Sequence, residues 1–291
     1  MFILNNLLYY CFILPVSLLP FRVLYILSDG LFIVLYYLVG YRKKVILQNI
    51  STSFPHLTPA RHKEITKQFY HHLCDLVVES LKIFTISKSQ AEKRMVCLNP
   101  QLVNSYFENN QSVILAGGHL NNWELFAVVI QSHIKHTTLA IYKPLNSLFF
   151  DQKMRDTRSK FGLQMIPTQV VKKMLADKID QCFAMIFAYD QSPSNPAKAY
   201  WTKFLNRDTA WLKGCEDSAR LYNLPVLYGK INKLKRGYYT YEFKVACADP
   251  SQTAEGELTQ KLSDLLEEDI TIQPAFWLWS HRRWKHTKKS N

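Results

Sequence analysis

From Val113 to Ile231 short apolar runs alternate with longer stretches of helical character, and few architectures accommodate that rhythm. The runs are Val113–Ala116, Thr138–Tyr142, Leu163–Ile166, Cys182–Ala188 and Leu224–Ile231. Between them lie candidate helices near Asn122–Gln131, Ser147–Lys160, Thr168–Asp177 and Trp211–Tyr222. A near-continuous apolar strand is one buried on both faces, and parallel neighbours need a crossover, usually a helix. The expected fold is therefore α/β, a mostly parallel sheet covered by helices on both faces. Gly237–Ala246 alternates like a later strand, read as an antiparallel edge, and Leu258, Leu262, Leu265, Leu266 and Ile270 mark a last amphipathic helix. Upstream, Thr58-Pro59 is a good helix start. Ile65, Phe69, Leu73, Leu76, Val77, Leu81 and Phe84 then follow at helical spacing.

The first 41 residues read differently. Arg22 and Asp29 are their only charged side chains; Leu7–Phe21 is uncharged, and Val23–Gly40 is apolar around Ser28-Asp29-Gly30. A spanning helix needs roughly 20 apolar residues, so Met1–Phe21 suffices and Val23–Gly40 is marginal, with Pro15 and Pro20 expected to kink or end the first helix. Arg42-Lys43-Lys44 follows and assigns the rest of the chain to the cytoplasm. A cleaved signal peptide fits poorly: no basic residue precedes the apolar run and no small-x-small site closes it. Two buried core helices are the alternative; a single span and a monotopic insertion are not separated by sequence. The organisation expected is a membrane-anchoring helical segment, 1–41, and one cytoplasmic-facing domain, 42–291, with no linker or repeat dividing it.

A net charge of +13 favours acidic partners. Nucleic acid is disfavoured because no recognition motif or stacking module is present. The six cysteines form no CxxC pair, which reads as reduced, mostly buried thiols; no metal site and no cofactor is expected.

Chemistry concentrates in Gly117-Gly118-His119-Leu120-Asn121-Asn122-Trp123-Glu124. Ligands of parallel sheets collect at the carboxyl ends of strands, and His119 is placed there, after a strand and two glycines that permit a tight turn. Asn121 or Asn122 caps the next helix and leaves N–H groups aimed at the site; an oxyanion-stabilising donor is commonly worth about 3–4 kcal/mol. His119 and Glu124 stand five positions apart, which on one regular helix means about 140°. With His119 in the turn and Glu124 in the helix, the carboxylate is expected to reach the imidazole, fix its tautomer and support it as a general base toward a hydroxyl. No covalent enzyme intermediate is needed. His71, His72, His133 and His136 are read as structural.

The segment His119–Glu124 matches the HxxxxE/D motif of the glycerolipid-type acyltransferase superfamily, and the whole chain resembles the bacterial lipid A late (lauroyl/myristoyl) acyltransferases. Ordered blocks carry the resemblance: Leu19-Pro20-Phe21-Arg22, Tyr41-Arg42-Lys43-Lys44-Val45, Asn49-Ile50, Ser53-Phe54-Pro55, Gly117–Glu124, Tyr142-Lys143-Pro144, Arg158-Ser159-Lys160-Phe161-Gly162, Asp190-Gln191-Ser192-Pro193 and Trp279–Lys285. It implies transfer of a fatty acyl chain from acyl-carrier protein to a hydroxyl of a lipid A precursor at the inner face of the bacterial inner membrane. It makes His119 the base and Glu124 its partner. Arg158 then helps hold an anionic group or developing charge, with Arg155 one turn away as a substitute. Asp190 falls on the ligand edge, in a direct role or as a loop cap. Arg282 and Arg283 suit bidentate phosphate binding, and their neighbouring tryptophans suit a membrane interface. Asp190–Pro193 and Phe204-Leu205-Asn206-Arg207 are only approximate to the family's aspartate and Phe-Phe-Gly blocks, which points to an unusual acceptor, such as another membrane lipid or glycolipid, or an unusual chain length. A catalytically silent lipid-binding protein of the same fold is disfavoured because His119 and Glu124 are both present.

Overall fold

The computed structural model describes residues 2–177 and 181–288; Met1 and Asn291, the outer limits of the two expected segments, lie outside them. α1 (Phe2–Leu8) runs through a π-helical turn, Tyr9–Ile13, into α2 (Leu14–Leu18). Pro15 follows on that π-helical turn, a local widening of the kind found where the regular helical ladder is interrupted. Leu19 and Pro20 are extended and end the helix. α3 (Phe21–Ile33) then continues as a π-helix over Val34–Val39 and stops at Gly40, whose φ of 64° suits a residue without a β-carbon. Phe21–Val39 is 19 residues, long and apolar enough to cross a membrane, and only 17% of it is buried. Ile26, Ile33, Leu38 and Val39 are exposed along it.

Polar groups as well as packing seat this segment on the rest of the chain. α4 (Lys43–Ser53) leads to α5 (Pro59–Lys82), which opens as the sequence predicts: the Thr58 hydroxyl accepts from the Arg61 N–H and Pro59 fills the first turn. Asp75, Glu79 and Lys82 recur at i, i+4 and i+7 and are all buried. Asp75 accepts from the Ser28 hydroxyl (2.8 Å) and from Arg236 Nε (2.8 Å). Glu79 accepts from the Tyr25 hydroxyl (2.9 Å). Lys82 donates to the carbonyls of Ser17 (2.9 Å) and Leu19 (3.0 Å), closing the end of α2.

α6 (Lys88–Arg94), β1 (Met95–Cys97) and α7 (Pro100–Glu108) precede the alternating region. Its strands are β2 (Val113–Gly117), β3 (Thr137–Tyr142), β4 (Gln164–Pro167) and β5 (Phe183–Ala188), with α8 (Trp123–His133), α9 (Leu148–Ser159) and α10 (Val171–Ala176) between them. After a hairpin of β6 (Tyr200–Phe204) and β7 (Arg207–Trp211) come α11 (Gly214–Tyr222), β8 (Val226–Lys235), β9 (Tyr238–Cys247) and α12 (Glu257–Ile272). The seven-stranded sheet has the order β1-β9-β8-β2-β5-β3-β4. From β8 to β4 every neighbour is parallel. β9 is antiparallel to β8, as expected, but it is not the edge: β1 pairs with it, Met95 opposite Tyr239.

The sheet is covered on both sides because its strands are apolar on both sides. On β2, Ile114 and Ala116 join one core with Leu258, Leu262, Leu266 and Ile270 of α12. Val113 and Leu115 join the other, with Leu125, Val128 and Val129 of α8. The β6–β7 hairpin has no counterpart among the expected elements. Its turn residues, Leu205 and Asn206, take φ of 49° and 64°. That two-residue geometry normally calls for Asn-Gly; here burial of Leu205 at 2% exposure holds a residue that local preference would not place there.

Candidate active site

β2 and β5 are neighbours, in register from Val113–Ala184 to Gly117–Ala188. Their carboxyl ends therefore deliver His119 and Asp190 side by side. The ring Nδ1 lies 2.6 Å from Asp190 Oδ1, and the His119 backbone N–H donates to Oδ2 (2.7 Å). The indole Nε1 of Trp277 donates to the same oxygen (2.8 Å). Asp190 is 3% exposed. Burial works against its charge, but the imidazole and these donors prevail and hold the carboxyl down to about 2. For His119, burial opposes the cation, and the Asp190 carboxylate outweighs it, so the imidazole sits above its ordinary value of 6.5. An ionised Asp190 accepts from Nδ1–H and leaves the lone pair on Nε2. Gln191 Nε2 lies 3.3 Å from that atom, and the His119 side chain keeps 14% exposure.

The turn is built to hold this contact. A β-carbon on Gly118 would meet Leu266 Cδ1 at 2.7 Å and Asp190 Oδ2 at 3.2 Å, so the second glycine is required for space. Leu120 bridges to Trp277, the Asn121 N–H donates to the Phe276 carbonyl (2.9 Å), and the Asn121 side chain donates to the Ile231 carbonyl (2.6 Å). Asn121 adopts φ of 57°. The helix cap falls to Asn122, whose Oδ1 accepts from the Leu125 N–H (2.8 Å).

Glu124, one residue into α8, does not form the expected hydrogen bond to the ring. It forms a two-pronged ion pair with Arg158 of α9: Nε to Oε2 at 2.9 Å and Nη2 to Oε1 at 2.6 Å. The reason is direction. The turn aims His119 back across the sheet toward the end of β5, whereas α8 packs beside α9 and turns Glu124 toward that helix. The charges are close enough that Glu124 favours, and Arg158 opposes, protonation of His119. Arg155 pairs with Asp151 at 3.2 Å, so Arg158 is the arginine that the fold brings to this site.

The carboxy-terminal block is placed otherwise than expected. Arg283 is 2% exposed, donates to the Ala210 carbonyl (2.6 Å) and stacks 4.4 Å from the Trp211 ring centroid; burial pulls its guanidinium down to about 10. It is buried against Trp211, not on the surface, with Nε and Nη2 lacking a hydrogen-bond partner among the described residues, while Arg282 is exposed. Trp277 and Trp279 are buried and Trp284 partly so, which removes them from a membrane interface and makes them the packing behind Asp190. His281 accepts from the Ser192 N–H (3.1 Å). Cys74 and Cys215 are buried and Cys11 exposed; the other three cysteines are intermediate, so the thiols are less buried than expected. Among the described residues no group of three His, Cys, Asp or Glu side chains is arranged to hold a metal ion.

Sequence reasoning found His119 and Asp190 separately and missed their contact. Their shared place at carboxyl ends of apolar runs was the available signal, but adjacency of β2 and β5 skips two intervening strands. Trp277 gave no signal of its own.

A mostly parallel sheet with a carboxylate-held imidazole at its ligand edge describes a class: α/β proteins that present a partly exposed imidazole at the carboxyl ends of their strands. The bacterial lipid A biosynthesis acyltransferase family matches over residues 3–286, and the chain belongs to that family. Its activity is thus acyl transfer in lipid A biosynthesis. No curated protein matches the chain.

Proposed function

We propose that the protein transfers a fatty acyl chain from acyl-carrier protein to a hydroxyl of a lipid A precursor, with His119 Nε2 as the general base. The observation that carries this reading is the 2.6 Å contact of Nδ1 with the buried Asp190, which supports a lone pair at Nε2, faced by the Gln191 amide at 3.3 Å. The acceptor hydroxyl gives its proton to Nε2 as its oxygen attacks the thioester carbonyl. Asp190 offsets the charge that grows on the imidazolium. The tetrahedral intermediate collapses, the C–S bond breaks, and the carrier's thiolate takes the proton back from the ring. No cofactor enters this scheme. Glu124 holds Arg158 by Nε and Nη2, which directs Nη1 toward an anion, either the developing oxyanion or a phosphate of donor or acceptor. Arg282 is the exposed member of the basic tail suited to phosphate.

The proposed setting is the cytoplasmic face of the bacterial inner membrane, a reading supported by the apolar segment 1–41 and the Arg42-Lys43-Lys44 run that follows it. Lipid mass spectrometry of cells with and without the protein tests the reading. The expected result is a secondary acyl chain missing from lipid A, restored by the wild type and not by His119→Ala. Unchanged lipid A with a different acylated lipid lost would move the acceptor to that lipid.

A further inference from the structure

Glu79 is a carboxylate with 4% exposure in the last turn of α5, and the acyl-transfer scheme makes no use of it. Three neutral donors converge on it from three elements. Tyr25 of α3 donates to Oε1 (2.9 Å); Tyr239 of β9 and the Asn122 side-chain amide donate to Oε2 (2.8 and 2.6 Å). No cation lies within ion-pair distance among the described residues. Burial pushes the Glu79 carboxyl above the usual range, while the Tyr239 and Tyr25 hydroxyls and the Lys233 charge pull it back. A polar group held at that depth is costly, so it does something there that an apolar side chain cannot.

Asn122 identifies the task. Its Nδ2 is held by Glu79 while its Oδ1 caps α8 at the Leu125 N–H. Asn122 stands three residues after His119 and two before Glu124. We infer that Glu79 is a positioning residue for the transfer reaction: it fixes the Asn122 amide and so sets the His119 turn and the start of α8 against Tyr25 of the apolar helix. The seat of the membrane-associating helix is thereby part of the active-site scaffold. This inference rests on the acyl-transfer reading of His119.

The test compares Glu79→Leu with Glu79→Gln in the full-length membrane-bound protein. Glutamine keeps one oxygen for Asn122 and Tyr239 and offers its amide to the Tyr25 oxygen; leucine offers neither. The expected result is a kcat at least tenfold below wild type for Leu with KM changed less than threefold, and a Gln variant at least threefold better than Leu. A smaller loss in kcat, a loss confined to KM, or a Gln variant no better than Leu overturns the inference. If Glu79→Leu does not fold, Tyr25→Phe takes its place: a fall in kcat of at least threefold is expected, and an unchanged kcat overturns it. Carbethoxylation of His119, followed by peptide mapping, reads the same geometry without substrate. A rate altered at least threefold in Leu and restored in Gln supports the positioning role even if no lipid acceptor is turned over, in which case only the acyl-transfer reading fails. Rates equal in all three proteins overturn the role.

Discussion

At His119 the decisive partner is a carboxylate 71 residues away in sequence, 2.6 Å from the ring, and the proposed mechanism derives a pH signature from that contact. In the proposed mechanism His119 must be neutral to act as base, and its value lies above 6.5, so kcat/KM is expected to rise with pH through a midpoint above 6.5. Asp190→Asn removes the charge that raises it. The acidic limb then moves to lower pH while kcat falls by about 10²–10⁴, the range for losing an imidazole's carboxylate or general base. A pH–rate profile of both proteins checks this, and an unmoved limb would contradict the pairing. The same contact sets stability. The raised histidine stabilises fully below 6.5 and loses that contribution as pH rises through its folded value. The lowered aspartate stabilises above 3.8 and loses it as pH falls toward about 2. Thermal melts of wild type minus Asp190→Asn are expected to show the largest gap between those two limits. Glu124 and Arg158 form a separate unit: Glu124→Ala and Arg158→Ala are expected to lower kcat/KM, and the double variant to lose no more than the worse single one. Additive losses would show that the two act apart.

Among the elements, the turn after β2 leaves least room for change. Gly118→Ala puts a methyl 2.7 Å from Leu266 Cδ1 and 3.2 Å from Asp190 Oδ2. The expected cost is about 1–3 kcal/mol, as for other overpacked sites, with kcat reduced because α12 and Asp190 cannot both keep their places. Denaturant melts and turnover measured together check it; a stable, fully active variant would mean that α12 yields freely. The strands and main helices were legible because period and composition agreed, as at Val113–Ala116 and the Leu258–Ile270 stripe. The β6–β7 hairpin was not, since Leu205-Asn206 lacks turn chemistry and holds its conformation by burial. Two helices begin later than the pattern suggested, because Trp211 belongs to β7 and Thr168 hydrogen-bonds to the Tyr142 carbonyl.

Across the whole molecule, the amino-terminal segment and the sheet domain share buried ionisable groups. Deleting residues 1–41 strips Asp75 and Glu79 of Ser28 and Tyr25, and Lys82 of the Ser17 and Leu19 carbonyls. Each hydrogen bond lost to a buried charged group costs about 1.5–3 kcal/mol, four are lost together, and domains are stable by about 5–15 kcal/mol. The truncated chain is therefore expected not to fold, and a truncated chain with an undiminished melting temperature would show that the segment is only an anchor. With a formal charge of +13, docking of an acidic carrier is expected to weaken with ionic strength. The KM for the acyl donor read against salt tests that docking.

The sequence by itself determined the layered α/β fold, the apolar amino-terminal segment, and the place of His119 at a strand's carboxyl end. These follow from local periodicity and from glycines and caps within a few residues of one another. Only the tertiary structure decided that Asp190 holds the imidazole, that Glu124 holds Arg158, and that Arg283 and the tryptophans are core. Sheet order and the direction of each side chain at a helix start are set by packing between distant segments, which no local spacing records.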